Sequence, residues 1–293
     1  MFSGVITALV TPFKKKEVDW DALDRLVEFQ VRNRVSGIVA CGTTGESATL
    51  SPEEHALVIE RIIKAARKRV KVIAGTGTNC TAESIERTFD AQQMGADGAL
   101  VITPYYNRPT QAGLIAHFEA VAGATKLPIV MYNVPSRTGS NLEAATAAKL
   151  SKIPNIVAVK EASGSLSQCM DIIRMTDRNF SVISGDDFLF LPLLAVGGKG
   201  VISVTSNVAP RDMSLLYEAF TAGDMRKAMA LNLKLWPLHK AMFYEVNPQP
   251  AKTALAMMGR VEETFRLPLV RMGKENRARL YRALADYGLL KKD

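Results

Sequence analysis

Lys160 closes the short apolar run Ile156–Lys160, and a lysine in that position has the chemistry of an amine nucleophile. In an extended strand alternate residues share a face, so Ile156, Ala158 and Lys160 form one row with the amine at its carboxyl end. An amine withdrawn from water favours its neutral form, the form that attacks a carbonyl and builds a Schiff base. That chemistry needs a proton carrier, first for the carbinolamine and then for the hydroxyl of the product. Tyr132, at the end of the run Pro128–Tyr132, is a phenol suited to the task, with Thr43 and Tyr106 as further hydroxyls that could extend a relay. Two plainer readings stand beside this one. A strand-end lysine can run out to water along its apolar stem, and Tyr132 can be a core aromatic with a satisfied hydroxyl.

The segment Gly42-Thr43-Thr44-Gly45-Glu46-Ser47 follows the run Gly37–Cys41. It reads either as an ordinary turn or as a carboxylate site made from backbone N–H groups and threonine hydroxyls near a helix start. Polar residues also follow other runs: Thr103-Pro104-Tyr105-Tyr106-Asn107, Tyr132-Asn133-Val134-Pro135-Ser136-Arg137-Thr138-Gly139, Ser184-Gly185-Asp186-Asp187 and Ser203-Val204-Thr205. Other chemistries fit less well. His55, His117 and His239 lie far apart in helical patterns and read as core or surface residues, so no metal site is expected. Dinucleotide and nucleotide-phosphate fingerprints and a nucleophile elbow are all missing, so no cofactor is expected. The glycine-rich Gly197-Gly198-Lys199-Gly200 precedes a strand and reads as a tight turn.

These residues need a scaffold that presents strand ends together. Eight short runs rich in Val, Ile and Ala recur: Val5–Val10, Gly37–Cys41, Val70–Ala74, Gly98–Ile102, Pro128–Tyr132, Ile156–Lys160, Phe180–Ser184 and Gly200–Val204. Such runs suit parallel strands buried on both faces. Helical patterns separate them, with start signals at Ser51-Pro52-Glu53-Glu54, Thr81-Ala82-Glu83-Ser84 and Asn141-Leu142-Glu143. Eight such units predict an α/β fold, a (β/α)8 TIM barrel over residues 1–223, with a doubly wound sheet as the alternative. In such barrels the chemistry sits at the carboxyl ends of the strands. Beyond Asp224 the patterns Met225–Tyr244, Gln249–Met258 and Lys274–Tyr287 predict a helical extension, residues 224–293, packed on the barrel.

The length of 293 residues suits one barrel with an extension. The net charge of +8 is dispersed, with Lys14-Lys15-Lys16 in a predicted loop and Lys64, Arg67, Lys68 and Arg69 at a predicted helix end. This reads as a solvated basic surface, not as a nucleic-acid interface; its field would suit an anionic substrate but does not establish one. No apolar run is long enough to cross a membrane, and Met1-Phe2-Ser3-Gly4 does not begin a signal peptide. Cys41, Cys80 and Cys169 are odd in number and widely spaced, which predicts reduced thiols and a cytoplasmic protein.

Taken together, Gly42-Thr43-Thr44-Gly45-Glu46, Tyr132-Asn133-Val134-Pro135 and Lys160-Glu161-Ala162 resemble the pyruvate-dependent class I aldolase and lyase superfamily. Within it the chain is most similar to the dihydrodipicolinate synthase family, over nearly its whole length. Ser136-Arg137-Thr138-Gly139 carries that distinction from the sialate lyases, and Pro104-Tyr105-Tyr106-Asn107 and Ser184-Gly185-Asp186-Asp187 agree with it. The resemblance implies a lyase in lysine and diaminopimelate biosynthesis that joins pyruvate to L-aspartate 4-semialdehyde and forms 4-hydroxy-tetrahydrodipicolinate. Lys160 would form the imine, and Tyr132 would carry protons with Thr43 and Tyr106. Thr44 would hold the pyruvate carboxylate, and Arg137 the carboxylate of the aldehyde, which a guanidinium fork suits. Main-chain groups at Gly185 and Ile202 would line the pyruvate pocket.

The resemblance also implies a homotetramer, a dimer of dimers, in which Tyr106 crosses to a neighbouring subunit. In lysine-inhibited relatives, residues matching Ser47, Ala48, His55, Asn79, Glu83 and Tyr105 line an allosteric pocket for L-lysine, with Glu83 facing the ammonium. Pro52 departs from the histidine of sensitive relatives. Glu83 and His55 also read as ordinary helix-face residues. A lyase acting on a sugar acid and a non-enzymatic basic scaffold are the alternative functions, and Arg137 favours the short acidic aldehyde.

Overall fold

Backbone hydrogen bonding, more than side-chain type, decides where each apolar run stops being a strand. The computed structural model describes residues 2–291. Its barrel strands are β1 (Gly4–Ala8), β2 (Gly37–Ala40), β3 (Lys71–Gly75), β4 (Gly98–Ile102), β5 (Ile129–Asn133), β6 (Ile156–Glu161), β7 (Ser181–Ser184) and β8 (Gly200–Ser203). They form a closed barrel in the order β1-β8-β7-β6-β5-β4-β3-β2. All eight predicted runs are strands; Gly98–Ile102 keeps its predicted ends, and the other seven are shifted at one end or both. The first stops at Ala8, because the Val10 N–H donates to the Asn207 side chain at 3.2 Å. The fifth loses Pro128, which has no N–H, and gains Asn133, which pairs with Glu161. Phe180 and Val204 fall out of their strands because each belongs to a turn, through Phe180 N–H to Asp177 O and Asn207 N–H to Val204 O.

Eight helices follow the eight strands: α1 (Trp20–Arg32), α2 (Pro52–Ala66), α3 (Thr81–Gln93), α4 (Gln111–Gly123), α5 (Ala144–Leu150), α6 (Leu166–Met175), α7 (Phe190–Ala195) and α8 (Pro210–Thr221). The Ser51 start signal is a full capping box: Ser51 Oγ accepts from the Glu54 N–H, and the Glu54 carboxylate accepts from the Ser51 N–H. Arg69 reaches back to the Ala65 and Ala66 carbonyls at the other end, where cations complement the helix dipole. Two predicted caps differ. Thr81 lies inside α3, whose cap is Cys80, and Thr81 Oγ1 instead bonds His117 Nδ1 at 2.9 Å. Asn141 does not cap α5, because its amide is engaged with Asn133 and Gln168.

The helices α9 (Met225–Ala241), α10 (Gln249–Met257) and α11 (Lys274–Tyr287) make up the predicted extension. α9 packs on α8 and on α11, and α10 packs on α11. α9 ends earlier than the predicted Tyr244, because the Phe243 N–H turns back to Lys240 O. A short antiparallel ribbon, Phe13–Lys14 with Glu17–Val18, occupies what reads in the sequence as a loop. By contact density the chain forms two compact units. One holds residues 71–202 with the N-terminus up to Gly4, and the other holds residues 5–70 and those from Ser203 onward.

Candidate active site

Parallel pairing aligns residues whose side chains share a face. β5 and β6 pair Val130 with Ala158, Met131 with Val159, Tyr132 with Lys160 and Asn133 with Glu161. Lys160 is therefore a strand partner of Tyr132 and, on the other side, of Ile183. Its side chain is 7 % exposed, which removes the reading of a lysine extended into water. Lys160 Nζ lies 4.1 Å from the centroid of the Tyr132 ring. An amine against the negative face of a phenol ring is held by the ring quadrupole and shielded from solvent.

Gly185 closes the far side of the amine. A Cβ there would stand 3.1 Å from Lys160 Cε and 2.4 Å from Ala162 Cβ, so only glycine fits. Asp186 follows it. Burial pushes its carboxyl up to about 6, against the pull of the Lys160 charge, and Asp187 and Glu161 push in the same direction as burial. The sequence reading quoted Asp186 only as part of a motif. The Lys160 charge reaches it because β6 and β7 lie side by side. Ile202 lies buried in β8.

The turn after β2 is a one-turn 3₁₀ helix, Thr43–Gly45, between two residues in left-handed backbone, Cys41 (φ 53°) and Glu46 (φ 53°). Such backbone persists only where the surroundings fix it. Thr11 Oγ1 donates to Gly45 O at 2.7 Å, and Asn247 Nδ2 donates to Thr44 Oγ1 at 3.0 Å. Glu46 is buried against Lys252 in an ion pair whose side chains are both fully enclosed. Lys252 Nζ also donates to Thr264 O at 3.2 Å and lies 4.1 Å from the Phe13 ring centroid. Burial pushes the Lys252 ammonium down to about 8, while Glu46 holds it up. The sequence reading missed Asn247 and Lys252, because nothing in a helical pattern marks a lysine as buried.

The model of the dihydrodipicolinate synthetase family matches residues 1–287. The chain belongs to that family. The 4-hydroxy-tetrahydrodipicolinate synthase of Syntrophus aciditrophicus is 58 % identical over 290 residues, 99 % of this chain and 100 % of the relative. The dihydrodipicolinate synthase of Acinetobacter baumannii, solved complexed with pyruvate, is 46 % identical with a TM-score of 0.97, covering 99 % of this chain and 100 % of that one. The enzyme of Cyanidioschyzon merolae, solved with lysine bound, is 43 % identical with a TM-score of 0.96, covering 99 % of each chain.

Other residues singled out in this dihydrodipicolinate synthetase family member sit as follows. Arg137 is exposed on the single-turn helix Pro135–Thr138, directly after β5. Tyr106 is 90 % exposed with φ 73°, so within one chain its side chain stands in solvent. Asn79 O accepts from Asn107 Nδ2 at 2.9 Å, tying the start of α3 to the Tyr105–Tyr106 loop. Glu83 is already paired with Arg87. In the other unit, Ser47 is partly buried, Ala48 is exposed and His55 is buried on α2. His117 is a core histidine whose burial lowers it to about 4. His239 is enclosed and bonds Thr205 Oγ1 at 2.9 Å. Among the described residues no helix is long and apolar enough to cross a membrane.

Proposed function

We propose that the chain condenses pyruvate with L-aspartate 4-semialdehyde to 4-hydroxy-tetrahydrodipicolinate through a Schiff base on Lys160. The observation that carries this is the buried Lys160 amine held 4.1 Å from its strand partner's phenol ring, in a chain of this family. The neutral amine adds to the pyruvate ketone, and loss of water gives the iminium. Loss of a proton from the methyl carbon gives an enamine, which attacks the aldehyde carbon and leaves a hydroxyl. The substrate's own amine then displaces Lys160 by transimination and closes the ring. Tyr132 moves the protons of these steps, with Thr43 and Tyr106 extending the relay. Thr44 and neighbouring N–H groups hold the pyruvate carboxylate, with main-chain groups of Gly185 and Ile202 around it. Arg137 receives the carboxylate of the aldehyde.

The solvent-standing Tyr106 supports an assembly in which that ring serves a second subunit, and a dimer of dimers is the proposed form. Residues 1–223 are read as the catalytic barrel and 224–293 as its extension. L-lysine is a proposed inhibitor at Ser47, Ala48, His55, Asn79, Glu83 and Tyr105; there Glu83 must leave Arg87 to meet the ligand's ammonium. Three cysteines that form no disulfide among the described residues support a cytoplasmic place.

Borohydride reduction in the presence of pyruvate, followed by peptide mass spectrometry, tests the centre of the proposal. The expected adduct is on Lys160, and an adduct on another lysine overturns the assignment. Turnover with L-aspartate 4-semialdehyde and none with N-acetylneuraminate is expected. The reverse would reassign the substrate.

A further inference from the structure

One residue past Lys160, Glu161 is 2 % exposed, and its carboxylate makes no ion pair among the described residues. Neutral donors surround it instead. Asn133 Nδ2 donates to its two oxygens at 3.2 and 2.9 Å, the Ser163 N–H at 2.7 Å and Gln168 Nε2 at 2.9 Å. A buried carboxylate is tolerated only when its lone pairs are met this completely. The donors come from separate elements. Asn133 ends β5, Ser163 lies in the loop after β6, and Gln168 is on α6. Asn133 is itself fixed, because its Oδ1 accepts from the Leu142 N–H at 2.8 Å and its Nδ2 reaches Asn141 Oδ1 at 2.8 Å. Asn141 and Gln168 exchange two further bonds, at 2.8 and 3.2 Å. The main chain closes the same knot, with Ala162 N–H to Asn133 O at 2.9 Å and Gly185 N–H to Glu161 O at 2.7 Å.

This network binds the strand partners Asn133 and Glu161, and the next pair back is Tyr132 and Lys160. Side chains alternate, so the clamp sits on one face of β5 and β6 and the amine with its phenol on the other. β6 carries an irregularity here, since Ile129 pairs with Ile156 but Val130 with Ala158. A register shift within two residues of the reactive pair leaves that pair's alignment dependent on what fixes the strand ends.

We propose that Glu161 is a positioning residue for the Schiff-base step: its carboxylate locks β5 to β6 so that the Lys160 amine and the Tyr132 phenol stay in contact. The inference rests on the Schiff-base reading given above. Glu161→Gln is nearly isosteric, yet neither amide orientation satisfies the site. An NH₂ in place of one oxygen faces Ser163 N–H and Asn133 Nδ2, and in place of the other it faces Asn133 Nδ2 and Gln168 Nε2.

The test follows the rate of borohydride trapping on Lys160 at saturating pyruvate, with kcat, both KM values and the melting midpoint, for wild type, Glu161→Gln, Gln168→Ala and the double variant Glu161→Gln, Gln168→Glu. Misplacement by a fraction of an ångström predicts trapping and kcat lowered by about 10- to 100-fold in Glu161→Gln, with KM for the aldehyde within about twofold. Gln168→Ala, which removes one donor, should lose less in the same sense, and it carries the test if Glu161→Gln does not fold. The double variant restores a donor facing an acceptor and should recover part of the trapping rate. Wild-type trapping and kcat in Glu161→Gln, with only the melting midpoint lowered, would make Glu161 a structural residue and overturn the inference. Failure of the wild type itself to trap on Lys160 would instead remove the Schiff-base reading, a separate outcome seen in the first sample.

Discussion

Replacing Lys252 by methionine removes one ammonium from beneath the Gly42–Glu46 turn and leaves nearly the same volume of side chain. Glu46 would then be enclosed with one remaining donor among the described residues, the Arg266 N–H at 3.4 Å. Arg266 cannot swing its guanidinium to help, because that group is fixed on Glu54 at 2.5 and 2.6 Å and on Lys16 O and Thr49 O. Breaking a buried pair by removing one partner costs about 3–5 kcal/mol, since the other charge remains without water. An unfolding entropy of about 2.1 cal/mol/K per residue over 293 residues comes to about 0.6 kcal/mol/K, so the midpoint should fall by about 5–8 °C. Scanning calorimetry of Lys252→Met at neutral pH measures this. Adding Glu46→Gln removes the orphaned charge and should return roughly half of the loss. A Lys252→Met midpoint within about 1 °C of wild type, or a double variant no better than the single, would refute the confinement of Glu46 on which the estimate rests.

Two more outcomes follow from the walls of the Lys160 site. The Asp186 carboxyl is raised from 3.8 to about 6, so the folded state holds its proton more tightly than the unfolded state. Its contribution to stability is therefore present at low pH and lost as pH rises through about 6. Asp186→Asn should flatten that part of the melting-midpoint profile between pH 4 and 6, and an unchanged slope would show that the group titrates normally. Gly185→Ala places a methyl 2.4 Å from Ala162 Cβ and 3.1 Å from Lys160 Cε. Displacement of the amine should lower kcat by about 100-fold, and near-wild-type turnover would mean the amine is not confined there.

Some of this architecture was legible in the residues, and the remainder was hidden for identifiable reasons. A strand buried on both faces reads as an apolar run whatever its neighbours do, so all eight strands were visible. Most of their ends were not, because they are set by turns and side-chain partners that the run itself does not show, as Val10 N–H goes to Asn207 and Phe180 N–H to Asp177 O. Lys160 and Tyr132 were conspicuous as polar residues ending apolar runs. Their neighbours Glu161 and Asn133 stood in the same motifs, but their pairing depends on the register shift near Val157, which no sequence period encodes. Lys252 was the least legible of all. Its carboxylate partner is 206 residues away, and a lysine in a helical pattern ordinarily faces water.

Glu46 and Glu161 solve one problem in two ways, and the difference bears on what each turn can do. Both are buried carboxylates immediately beyond a segment proposed to touch substrate. Glu46 is met by a lysine ammonium flanked by the Phe13 and Phe265 rings, at 4.1 and 5.3 Å from their centroids. Pairing with a cation leaves no net charge at the Thr43–Gly45 turn, so the turn's own N–H groups remain the local field for an anion. Among the described residues Glu161 is met by neutral donors and no cation, so its negative charge is uncompensated within the clamp. That charge sits one residue from the amine proposed to become a cationic iminium during the reaction. A lysine placed to neutralise Glu161, as Lys252 does for Glu46, would put a second cation beside the first and oppose that step. Neutral amides hold the strand ends together without that conflict, which accounts for asparagine and glutamine at 133, 141 and 168 where a basic residue would bind the carboxylate more strongly.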